Sequence, residues 1–129
     1  MKMTSMVLST AIMAASLLSG CSDGHNIPKW VAGAKQDIEH DVRWDTDGAA
    51  ECKPVALNEQ WFVMCYSQDK FAGIAFMVTE SNNSRGFIAQ PVTGKSAQIA
   101  TSFRSSPVLD NSATADIDKL KAVYNEMYN

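Results

Sequence analysis

At 129 residues the chain holds one domain's worth of sequence, and its 46% apolar, 19% charged and 9% aromatic composition speaks against a disordered, collagen-like or fully membrane-embedded protein. The net charge is −3, one unit more negative if Lys2 leaves with a leader, and the 11 Lys and Arg residues are scattered along the chain. A nucleic-acid partner needs a concentrated basic face to displace counterions from phosphates, and docking on anionic lipid heads needs a polybasic run. Neither is present in this sequence, so no nucleic-acid partner is expected.

Residues 1–20 read MKMTSMVLSTAIMAASLLSG. Lys2 and the free amino terminus make a short positive start, and an apolar stretch runs from Met6 to Leu18. That stretch is shorter than the ~20 apolar residues a helix needs to cross a bilayer, and it suits the ~7–15-residue hydrophobic region of a secretory signal. A buried core helix is the alternative, but such a helix shows a polar face, and this segment shows only Ser and Thr.

The run Leu18-Ser19-Gly20-Cys21, an aliphatic residue and two small residues before a cysteine, resembles the lipobox of bacterial lipoproteins. The resemblance identifies a processing class and no functional family. It implies that Cys21 carries a diacylglyceryl group on its sulfur, that residues 1–20 are removed as a signal peptide, and that the new amino group is acylated, palmitate being the expected kind of chain. Several acyl chains make a firm membrane anchor, since each buried methylene contributes about 0.8 kcal/mol. Asp directly after the cysteine would imply retention at the inner membrane. Ser22 stands there, and the resemblance thus implies the outer membrane, facing the periplasm. An ordinary signal peptide with an incidental cysteine is the competing reading. The mature chain then divides into a lipidated anchor and tether at 21–27 and a single domain at 28–129.

Export places the chain in an oxidising compartment, where paired thiols become disulfides, and with Cys21 lipidated Cys52 and Cys65 are left to pair. Their surroundings agree. Runs 52–57 and 60–65 are strand-like, and a hairpin turning on Asn58-Glu59 pairs 57 with 60, 55 with 62, and 52 with 65. In that register Leu57–Gln60 is a hydrogen-bonded pair, so the cysteines meet on a non-hydrogen-bonded one, where side chains come closer. Pro54 also falls on a non-hydrogen-bonded position with its missing N–H outward, which makes the first strand an edge. Asn-Glu is a weaker turn former than Asn-Gly, and a four-residue turn would keep the cysteines opposed while changing the parity. A catalytic thiol is the rival reading. Against it stand the lack of a Cys-x-x-Cys spacing and the choice of only His25 and His40 as a base.

The remaining elements follow from periodicity. Pro28 suits the first turn of a helix whose apolar residues Trp30, Ala34, Ile38 and Val42 recur at four, with Lys35, Gln36, Glu39 and Arg43 opposite. That helix should end near Trp44, before the turn Asp45-Thr46-Asp47-Gly48. Runs 60–67 and 71–79 form a second hairpin around Asp69-Lys70, with 61 opposite 78 and Tyr66 opposite Gly73. Both faces of this pair are apolar, so the two strands should be central and covered on both sides, helices covering one and a partner being a candidate for the other. A further strand is expected at 85–92 and a weaker one near 96–103, then a loop at 104–113 and a helix from about Thr114. The fold class is therefore α+β: an N-terminal helix, an antiparallel meander of about four strands, a C-terminal helix and one Cys52–Cys65 disulfide.

The densest polar cluster is Asp37, Glu39, His40, Asp41, Asp45, Asp47 and Glu51. Asp37, His40 and Asp41 share a helical face by spacing, and with Asp45 and Asp47 they are weak candidates for a divalent-cation site. The spacing fits no zinc signature, and Asp45-Thr46-Asp47-Gly48 is only a fragment of a calcium loop. A solvated helix face followed by a turn explains the cluster more simply. The sequence carries no nucleophile elbow, phosphate-binding loop or His-Glu-x-x-His, so no catalytic residue and no cofactor are assigned. Trp30, Trp44, Trp61, Phe62, Tyr66, Phe71, Phe76 and Phe87 are expected in the core, and Tyr124 and Tyr128 are expected to face outward.

The expectation from sequence is a non-enzymatic, membrane-anchored periplasmic lipoprotein that binds an envelope protein or a cell-wall component, as a secretion, conjugation, exclusion or inhibitor accessory. The alternative is a small periplasmic enzyme or ligand carrier, which requires a concave pocket with a few convergent polar groups.

Overall fold

The computed structural model describes residues 26–128; the leader, Cys21 and the start of the tether lie outside them. The described elements are α1 (Lys29–Asp45), β1 (Glu51–Leu57), β2 (Gln60–Ser67), β3 (Lys70–Glu80), β4 (Phe87–Pro91), α2 (Gly94–Ala100) and α3 (Ile117–Tyr128). The strands form one antiparallel sheet in the order β1-β2-β3-β4, with α1 and α3 at its two ends in the chain.

The first hairpin has the expected register. Leu57 pairs with Gln60 and Cys52 with Cys65, and the two-residue turn is made by Asn58 and Glu59, both at positive φ. Right-handed strand twist favours that kind of turn. Cys52 and Cys65 are bonded, with Cα atoms 4.0 Å apart, the close approach of a non-hydrogen-bonded pair.

The second hairpin follows the predicted register from Trp61↔Val78 to Cys65↔Ile74 and then slips by two, so that Tyr66 faces Phe71 instead of Gly73. The turn falls on Gln68 and Asp69, one residue earlier than expected, and again both have positive φ. Tightening the turn leaves Ala72 and Gly73 as surplus on β3, and Gly73 takes a φ of +81°, which only glycine adopts cheaply.

That bulge accounts for the largest departure from expectation. Residues 94–100 form a helix, where a weak strand near 96–103 was expected. Thr93 caps it, its side-chain oxygen accepting from the Ser96 N–H at 3.0 Å. The Thr93 hydroxyl donates to the Gly73 carbonyl at 2.6 Å, and the Lys95 ammonium donates to the Ala72 carbonyl at 2.9 Å. The Ser96 hydroxyl, fully buried, accepts from the Ala75 N–H at 2.8 Å and lies 2.7 Å from the Thr93 hydroxyl, to which it donates because the Thr93 proton is already committed. The bulge leaves backbone groups without strand partners, and this helical turn supplies them. A strand there would have left the buried Ala75 N–H without its acceptor.

Both faces of the sheet are covered by the chain itself. Ala34, Ile38 and Val42 of α1 pack with Val63, Cys65, Phe76 and Val78 on one side. Leu120 and Tyr124 of α3 pack with Val55, Phe62, Met64 and Ala75 on the other. The second cover is thus α3, and no partner is needed for it.

Several outward groups of the sheet edges are occupied as well. On β1, the outward N–H of Cys52 donates to Glu39 Oε2 at 2.8 Å, and the Pro54 carbonyl accepts from the Tyr128 hydroxyl at 2.6 Å. Pro54 itself has no N–H to satisfy. On β4, Ala89 exchanges backbone hydrogen bonds with Pro107 and Leu109, and the Pro91 carbonyl accepts from Ala113. Unpaired edges invite pairing with other chains, and these bonds reduce that opportunity.

Two outcomes follow. Replacing both Cys52 and Cys65 by Ala should lower the unfolding free energy in urea by about 3 kcal/mol, the chain-entropy value for a loop of this size. Burial alone would raise the Glu39 pKa, but the Cys52 N–H and the charges of Lys35 and Arg43 outweigh it and the pKa lies below its ordinary 4.5. Its contribution is therefore present in full above that value and is lost as pH falls through the folded-state pKa. Glu39→Gln should be less stable than the native chain at pH 7, with the difference shrinking below about pH 4.5 in urea melts taken across the acid range.

Candidate functional site

The acidic cluster does not assemble. Asp41 is 4% exposed and belongs to the buried face of α1, next to Val42 and one turn from Ile38. Its carboxylate accepts from three successive backbone N–H groups, those of Arg104, Ser105 and Ser106, at 2.9–3.2 Å. Such a nest stabilises a negative charge without a metal, and it pins the 104–106 loop to α1. Asp45 accepts from the Ser102 hydroxyl at 2.9 Å, and Asp37 lies 3.6 Å from Arg85. His40 is exposed, and Asp47 sits in the turn that ends α1, at positive φ. Among the described residues no group of three or more His, Cys, Asp or Glu is placed to hold a metal ion.

Two aromatic expectations are also corrected. Trp44 is 70% exposed, because two residues beyond Val42 on a helix points away from the buried stripe. The Arg104 guanidinium lies 5.8 Å from the centre of its ring. Tyr124 is buried instead of outward-facing, stacked on Tyr66 with ring centres 3.9 Å apart. Tyr128 is half-buried, tilted against Tyr124 at 5.1 Å, with its hydroxyl on the β1 edge. The cause is the apolar second face of the sheet: α3 must lay its stripe on it, and that stripe runs through Leu120 and Tyr124.

These tyrosines line a cleft of about 500 Å³ where the end of α1, the start of β1, the β2–β3 turn and the end of α3 converge. Tyr66, Tyr124 and Tyr128 form its aromatic wall, and Arg43, Lys53, Glu51 and Asp69 bring two charges of each sign. The Lys53 ammonium sits 4.7 Å over the Tyr128 ring, and Arg43 Nε donates to the Ala50 carbonyl at 2.9 Å, which fixes the root of its guanidinium at the rim. Burial pushes the Tyr66 phenol up. It does the same to Tyr124, where neighbouring Tyr66 and the carboxylates of Glu51 and Asp69 add to the effect. Among the described residues neither the Tyr66 nor the Tyr124 hydroxyl is engaged in a hydrogen bond with a neighbour.

Sequence reasoning missed this cleft, because its residues come from four separate segments. The one local signal was Tyr124 on the apolar stripe of α3, four residues beyond Leu120. Comparison with protein-family models, with curated proteins and with solved structures finds no match for this chain.

Removing the Asp41 carboxylate leaves three N–H groups without an acceptor, that of Ser106 buried and those of Arg104 and Ser105 part-buried. Asp41→Ala should cost about 3 kcal/mol in urea unfolding and speed hydrogen exchange at amides 104–106, while Asp41→Asn, which keeps one acceptor oxygen, should lose about half as much.

Proposed function

We propose that this chain is a bacterial lipoprotein of the cell envelope, held on a membrane through lipid on Cys21, and that its domain works by binding another molecule and not by catalysis. The observation that carries the first half is Leu18-Ser19-Gly20-Cys21 behind an apolar stretch too short to span a bilayer. The bonded state of Cys52 and Cys65 supports it, since structural disulfides belong to oxidising compartments. Ser22 after the cysteine favours the outer membrane, facing the periplasm.

Support for binding comes from how the polar side chains are used. Asp41, Glu39, Thr93 and Ser96 are all committed to backbone groups, which makes them parts of the scaffold. The cleft lies at the C-terminal end of α1, a helix roughly 25 Å long, whereas the chain arrives from Cys21 at its N-terminal end. A binding surface so placed is available to an envelope protein or wall component as an accessory of secretion, conjugation, exclusion or inhibition. The cleft also favours a second reading, a carrier of a small ligand, because its volume is that of an ordinary ligand pocket.

Cells grown with labelled palmitate should yield a labelled protein in the membrane fraction, and Cys21→Ser should yield an unlabelled one in the soluble fraction. An unlabelled native protein, or a Cys21→Ser chain still on the membrane, overturns the anchor.

A further inference from the structure

Among the described residues Trp44 and Leu109 are the large apolar side chains left exposed, and Trp44, at 70%, is the more open of the two. Trp44 ends a stripe along α1 made of Lys29, Gly33, Gln36, His40 and Trp44, whose steps of three and four keep to one helical face. That face lies opposite Ala34, Ile38 and Val42, which pack on the sheet, and a Cβ added at Gly33 would meet nothing within 4 Å. The stripe carries no carboxylate. Asp37 beside it lies 3.6 Å from Arg85, Glu39 and Asp41 accept from backbone N–H groups, and Asp45 accepts from Ser102. At its far end the exposed Arg104 guanidinium stands 5.8 Å from the centre of the Trp44 ring. The outer face of α1 thus offers one indole and cations at both ends.

We propose that this stripe rests on the phospholipid surface that holds Cys21, with Trp44 at the level of the headgroups and Lys29 and Arg104 on lipid phosphates. The inference rests on the reading of Cys21 as lipidated. Eight residue steps separate Cys21 from Lys29, a reach of at most about 28 Å. α1 begins where that tether ends and is roughly 25 Å long, so laying it along the surface brings Trp44 down at its far end. An indole has an apolar body and one N–H donor, which suits the boundary between acyl chains and water. A cation over its ring keeps its own charge among the phosphates. The chain has no polybasic run, and a tethered domain needs none. Once the anchor holds it, each weak contact is intramolecular and gains the effective concentration of a short linker. Arg43, about 100° round the helix from Trp44, turns to the flank that lines the cleft. The face set on the lipid is therefore not the face of the cleft.

The test places the purified, lipidated chain in vesicles of phosphatidylethanolamine and phosphatidylglycerol, with and without phospholipid brominated on its acyl chains near the headgroup. Tryptophan emission is the readout, and subtracting the emission of Trp44→Phe isolates Trp44 from Trp30 and Trp61, which pack against the core. Brominated lipid should quench the Trp44 share, and that share should lose access to iodide in the buffer once the chain is on vesicles. Arg104→Gln should reduce the quenching, whereas Lys119→Gln, exposed on α3 across the sheet, should leave it unchanged. Flotation with the vesicles reports the anchor separately. A chain that floats while brominated lipid leaves Trp44 unquenched overturns the contact and keeps the anchor. So does a Trp44 that stays open to iodide on vesicles and is shielded only by added envelope extract, the result for a protein partner. A chain that does not float overturns the anchor and this contact with it.

Discussion

Strands β2 and β3 carry large apolar side chains on both of their faces, and neither face tolerates water. Trp61, Val63 and Cys65 point one way with Val78, Phe76 and Ile74; Phe62 and Met64 point the other way with Met77 and Ala75. A two-sided apolar sheet must lie in the middle of three layers. The chain meets this demand with helices from its two ends, α1 on one side and α3 on the other, and the demand selects which face each helix buries. It explains why Tyr124 is stacked inside and why Asp41 is drawn under the surface with an acceptor role that keeps its charge satisfied.

Covering the faces leaves the edges, and each is partly occupied by a different device. β1 combines a proline with two side chains, Glu39 and Tyr128, that reach its outward N–H and carbonyl groups. β4 is short and paired to the 107–109 segment, itself positioned by the Asp41 nest a few residues earlier. The bulge at Ala72 and Gly73 is closed by α2 through Thr93, Lys95 and Ser96. Polar side chains that look like candidates for chemistry in a linear reading are thereby turned into fasteners. The groups left to face a common space are those of the cleft, where edge strand, turn and both long helices come to an end together.

Much of this architecture was legible because it is local. The spacing of four through Trp30, Ala34, Ile38 and Val42 sets α1, and the separation of Cys52 from Cys65 around Asn58-Glu59 sets the first hairpin and its disulfide register. Pro54 announces the edge. α2 was not legible, since seven residues opening on Gly94 are too short to hold a helix by propensity, although Lys95, Ala97 and Gln98 favour one, and it is selected by carbonyls on a bulge some twenty residues earlier in the chain. The metal candidates failed for a related reason: spacing places Asp37, His40 and Asp41 on one helical surface, but packing buries Asp41 and leaves His40 in solvent.

The sequence by itself determined the elements whose residues are neighbours along the chain: the amphipathic helix, the tight hairpin and the pairing of Cys52 with Cys65. These depend on the period of apolar residues and on turn geometry, which a short window contains. Only the tertiary structure decided which side of each helix faces inward beyond the apolar stripe, where the surplus residues of β3 are absorbed, and that Arg43, Lys53, Glu51, Asp69 and three tyrosines meet around one cleft. Those outcomes depend on backbone groups and charges finding partners across long stretches of chain, and a buried group accepts whichever partner the packed layers bring within reach.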